Sequence, residues 1–197
     1  MLKSLAFSAA LLAVPMFASA QPAPENPRGQ SGLLVSYTDT DVTLKDKDGK
    51  TVVVQMSKGW TVATARPSTP EAIRPGDFVA SANVNVDATT GRANEVRLFE
   101  PGYRPENGTH GMPGPANANL SMTHATVTKV SKGPDGQELD LVFPDGKRHL
   151  IVPATVKVTA FDTHPRSFLK PGVSMVGAVT RRDPDDVWRA GRLTVNN

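Results

Sequence analysis

DGKTVVVQMSKGWTVATARPSTPEAIRPGDFV, residues 48–79, is read a second time as DGKRHLIVPATVKVTAFDTHPRSFLKPGVSMV, residues 145–176. Asp48-Gly49-Lys50 and Asp145-Gly146-Lys147 open the two copies with the Asp-Gly chemistry of a tight hairpin. Runs of β-branched and alternating residues follow, with the period of half-buried strands. Each copy then passes through a connector containing Ser, Thr and Pro to a basic-Pro-Gly turn, Arg74-Pro75-Gly76 or Lys170-Pro171-Gly172. There Pro presets φ and Gly accepts a positive φ. One small β module has been duplicated.

Outward from the first copy, Gly32 opens the strand LLVSYT, Asp39-Thr40-Asp41 turns the chain, and VTLKD returns to the hairpin. TVVVQM and WTVATAR are expected as separate strands. Ser68-Thr69-Pro70-Glu71 suits a single helical turn, since Pro fits the first helical position. FVASANVNV and ANEVRLF then close a last hairpin around residues 87–91. The second copy keeps the order: HATVTKV, a turn at 132–136, ELDLVF, RHLIV, TVKVTAF, a helical slot at Ser167-Phe168-Leu169, then SMVGAVT and WRAGRLTV.

No segment holds a helical period. The expected fold is all-β: two tandem small OB-like barrels, residues 32–99 and 122–197. Each has five to six short strands and one short helical turn. Closure removes edges that strands this β-branched would otherwise expose. A pair of SH3-like barrels or a sandwich is the rival arrangement. Residues 100–121, rich in Gly, Pro and Asn, read as an inter-module linker.

The first 20 residues have the layout of a signal peptide: Lys3, an apolar run from Leu5 to Phe17, and Ala18-Ser19-Ala20 before Gln21. The run is shorter than the roughly 20 residues that span a bilayer. No cysteine follows it, so a lipoprotein is excluded. The expected location is periplasmic or secreted, with 21–31 as a flexible leader. The absence of cysteine excludes a disulfide framework, a thiolate metal site and a cysteine nucleophile. Residues 21–120 carry 10 basic and 11 acidic residues, and residues 121–197 carry 11 and 8. That balance falls short of the dense basic face of a nucleic-acid binder.

His110 and Met112, then Met122 and His124, form a mirrored His-x-Met and Met-x-His pair around the linker. Imidazole plus thioether is a ligand set that suits copper. Against this stands packing, because Met122 and His124 alternate on one face of an expected strand. His149 and His164 have no acid at a local catalytic spacing, and no nucleophile elbow or HExxH helix is present. The run Asp183-Pro184-Asp185-Asp186 lacks the spaced ligands of a calcium loop and reads as a turn. Lys147-Arg148-His149, Arg181-Arg182, and Arg189 and Arg192 around Trp188 are weighed as a stacking surface for single strands. They are read instead as solvated neighbours of a half-buried strand.

Gly32 to Ser36, Asp48-Gly49-Lys50, and Arg74 to Val79 resemble the module of a bacterial family of exported proteins of unknown function. Ala125 to Val130, Asp145-Gly146-Lys147 and Leu169-Lys170-Pro171-Gly172 resemble it again. Two-module members are often labelled metal ABC transporter permeases, a label this chain departs from because it has no transmembrane helix. The resemblance implies OB-like modules and brings no site residues. The expected function is non-enzymatic binding of a small ligand or an envelope protein, with no cofactor. The alternative is periplasmic copper handling by His110, Met112, Met122 and His124.

Overall fold

The computed structural model describes residues 29–172, 174–182 and 187–196. The expected signal peptide, residues 21–28 of the leader and the turn at 183–186 lie outside the described residues. Among the described residues, twelve strands run in chain order. The first five are β1 (Gly29–Tyr37), β2 (Asp41–Lys45), β3 (Thr51–Ser68), β4 (Phe78–Asn85) and β5 (Thr90–Phe99). Then come β6 (Gly108–Gly111), β7 (Leu120–Gly133), β8 (Gly136–Phe143) and β9 (Gly146–Pro153). The chain ends with β10 (Lys157–His164), β11 (Met175–Arg182) and β12 (Trp188–Asn196). Single 3-10 turns stand at Pro70–Ala72 and Arg166–Phe168, in the two expected slots.

The chain is all-β and closes into barrels, but the barrels do not follow the two halves of the sequence. β1 pairs with β2, β2 with β3, β3 in parallel with β12, β12 with β11, and β11 with β1. The second ring is β7-β8-β9-β5-β4-β7, again with one parallel pair, β9 to β5. Each ring has the OB-type strand order, built from the first three strands of one repeat and the last two of the other. The expected division at 32–99 and 122–197 is therefore replaced by an exchange of C-terminal strands.

The cores record the same exchange. Leu34, Leu44, Val54 and Val62 pack with Leu169, Val176, Leu193 and Val195 in the first barrel. Ile73, Val79 and Val96 pack with Ala125, Leu139, Leu150 and Val152 in the second. Both Pro-Gly turns dock across as well. Gly76 donates its N–H to Val127 at 2.8 Å and Gly172 donates to Leu34 at 2.7 Å.

Both connecting segments leave their strands in an extended conformation. Residues preceding proline are held extended, and the chain leaves each third strand through Arg66-Pro67 and Thr69-Pro70, or through His164-Pro165. Thr69 (φ −129°, ψ 160°) and Pro165 (φ −64°, ψ 152°) are both extended. TVVVQM and WTVATAR merge into one 18-residue β3, which passes through Gly59 at φ 74°, a conformation glycine accepts. The outgoing segments pair antiparallel, Val62 with His164, Ala65 with Phe161 and Ser68 with Val158. Shifting this register by one repeat returns the same register. Ala65–Phe161 therefore lies on a pseudo-two-fold axis, as in an isologous dimer contact.

Two further expectations change. Residues 29–31 of the leader belong to β1, because they pair with residues 177–179 of β11. The linker carries structure of its own: β6 lies along β7, and a 3-10 turn follows at Pro115–Asn117.

Candidate functional site

Outer faces of the two barrels meet across the pseudo-two-fold axis and frame an open-sided cavity of about 350 Å³. Ala80 of β4 and Gly177 of β11, equivalent positions of the two repeats, both line it and keep the walls apart. Phe161 of the crossing ribbon forms the floor. Tyr103, Pro105 and Glu106, from the segment between β5 and β6, cover one side. This segment follows β5 of the first repeat and covers the frame from that side.

Arg192 ties the three parts together. Its guanidinium carbon lies 4.3 Å from the Tyr103 ring centroid, 4.5 Å from Phe161 and 5.6 Å from Phe99. Phe99 and Phe161 stack with centroids 5.4 Å apart. Nη2 of Arg192 donates to Glu100 Oε2 at 2.7 Å, with side-chain exposures of 7% and 10%. Thr163 Oγ1 donates to the other Glu100 oxygen at 2.8 Å. A buried ion pair of this kind resists loss of either partner alone. Nε and Nη1 of Arg192 are buried without a hydrogen-bond partner.

Glu106 forms an ion pair with Arg181. It is the non-glycine residue with a left-handed backbone among those described, at φ 54°. Such a conformation costs about 1 kcal/mol or more, so the side-chain contacts hold the segment in place. Burial lowers the Arg181 pKa and raises that of Tyr103. His124 Nδ1 sits 3.4 Å from Glu106 Oε2 but makes no hydrogen bond. The His124 pKa falls to about 4, first through burial, then through the charges of His110 and Arg97. Glu106 would favour the imidazolium, but its carboxylate is engaged by Arg181 and desolvation prevails.

Of the four residues read as copper ligands, three share one face of the β6–β7 ribbon. His110 is directly opposite Met122, and Gly108 is opposite His124. Met122 and His124 line the cavity, while His110 is exposed. Met112 follows β6, its N–H bonded to Leu120 O at 3.0 Å. Among the described residues, no three His, Asp or Glu side chains are grouped to hold a metal ion.

The other singled-out groups are dispersed. Arg148 points into the second barrel, donating to Asn83 Oδ1 at 3.0 Å and Asn85 Oδ1 at 2.5 Å. His149 meets Asp140 at 2.9 Å, and His164 meets Thr64 at 2.8 Å and stacks on Phe168. Sequence reasoning found Met122 and His124 but missed Glu100, Tyr103, Glu106 and Phe161. It placed Arg181 and Arg192 on an outer surface. The available signal was an aromatic and two carboxylates opening a segment rich in Gly, Pro and Asn. No described helix is long and apolar enough to cross a membrane. Comparison with protein-family models, curated proteins and solved structures finds no match for this chain.

Proposed function

We propose that the protein is an exported, non-enzymatic binding protein whose ligand occupies the cavity on the pseudo-two-fold axis. The observation that carries this is the cavity itself: about 350 Å³, within the range of small-molecule sites and mostly apolar with a few convergent polar groups. Its charged groups are held by ion pairs and suit recognition more than proton transfer. Native mass spectrometry of protein purified from its own exported fraction should find a small molecule retained at one per chain. A Gly177→Leu variant should lose it. A Cβ there meets Asn196 Nδ2 at an ordinary 3.5 Å, so the leucine fills space without forcing the backbone. Retention of the same molecule by the variant would contradict this reading.

The cross-strand position of His110 opposite Met122, with His124 next on that face, favours copper handling as the second reading. His124 is neutral at pH 7, the form that ligates metal. Titration with Cu(I) and Cu(II), beside a His110→Ala/His124→Ala variant, tests it. Equal uptake by both proteins, or none by either, would remove it.

A further inference from the structure

We propose that the cavity is built for a small organic anion with an apolar, preferably aromatic, body, held by the free nitrogens of Arg192. This rests on the reading of the cavity as a ligand site and names the class of ligand.

The charge of the walls comes first. Arg97, Arg181 and Arg192 line the space against one carboxylate, Glu106. Glu106 is already paired with Arg181, and Arg97 Nη2 reaches Glu95 at 3.1 Å. Arg192 is the least satisfied. With Nη2 given to Glu100, its Nε and Nη1 hold most of the guanidinium N–H bonds and have no acceptor. An unmade hydrogen bond from a buried charged donor is costly, and an acceptor in the cavity removes that cost. His124 Nδ1, also buried and without a hydrogen bond, offers a second polar point.

The other walls decide the body of the ligand. Phe99, Phe161, Tyr103, Met122 and Val179 supply apolar and aromatic surface. The volume of about 350 Å³ corresponds to about a dozen water-sized groups. A bare phosphate or acetate leaves most of it unfilled. A cationic ligand is disfavoured for a separate reason. The ring cage that would receive it, Phe99, Tyr103 and Phe161, already holds the Arg192 guanidinium.

Phenylacetate is the probe, with phenylacetamide as its neutral counterpart and inorganic phosphate as the bare anion. Binding to the full mature chain is followed through the amide signals of Tyr103, His124 and Phe161. The wild type should bind phenylacetate at least about tenfold more tightly than the amide, as for a hydrogen bond to a charged group. It should bind phosphate more weakly still. The Arg192→Gln/Glu100→Gln variant removes both buried charges together, so no lone charge remains to unfold it. It should bind phenylacetate and phenylacetamide equally. Equal affinity of the wild type for these two overturns the anion assignment while leaving the cavity as a ligand site. Phosphate binding as tight as phenylacetate overturns the apolar body. No signal change with phenylacetate overturns the inference, whereas the cavity reading falls only if Gly177→Leu retains the native ligand.

Discussion

At His124 the cost of burying a charge sets a pH dependence. Its folded-state pKa is about 4 against an ordinary 6.5, so between those values the unfolded chain binds the extra proton. His124 therefore contributes stability that is fully present above pH 6.5 and is lost as pH falls toward 4. The size is on the order of 3 kcal/mol for a shift of that magnitude. Denaturant unfolding across this window should show the wild type weakening more steeply than His124→Gln. Parallel curves would mean that the imidazole is solvated. Glycine sets a second residue-scale test. Gly76 (φ 94°) and Gly172 (φ 80°) occupy the equivalent turns, and a Cβ at either would meet nothing within 4 Å. Valine there pays only in backbone strain, so each replacement should lower stability by about 1 kcal/mol or more.

Among the elements, the ribbon formed by the outgoing half of β3 and the length of β10 carries the most consequence. It joins the barrels, and through Phe161 it supplies the floor of the cavity. Arg192 reaches that floor from β12, and Glu100 reaches Arg192 from the end of β5. Arg192→Ala leaves Glu100 buried without its partner and should cost about 3–5 kcal/mol. The Arg192→Gln/Glu100→Gln pair should cost far less, and thermal unfolding of the two variants compares them. Equal losses would mean that the packing of the guanidinium against the rings outweighs the charge. The turns, the helical slots and the strands around them were legible in the sequence because each is local chemistry: Asp-Gly, Pro-Gly, alternating β-branched residues. The ordering of 100–121 was not, since Gly, Pro and Asn mark turns without saying what the chain turns against. Met122 and His124 were legible from spacing. Arg192, Glu100 and Phe161 were not, because they come from distant positions and meet only through the exchange.

For the whole molecule, the repeat announces two barrels but does not say which strands share one. An exchanged and an unexchanged pair use the same strands, turns and core residues, and differ only in where the chain goes after Ser68 and after His164. Cleavage within the exposed Pro113–Pro115 segment should therefore leave both halves associated, unfolding together in one transition. Two separate transitions would indicate independent barrels. The most direct test is a set of backbone nuclear Overhauser contacts in the intact protein. β1 facing β11 predicts contacts between Gly32 and Val176, and β4 facing β7 predicts contacts between Val79 and Ala125. Contacts of Gly32 with Val79, and of Ala125 with Val176, would instead mean that each repeat closes on itself. The cavity on the pseudo-two-fold axis would then lose its frame.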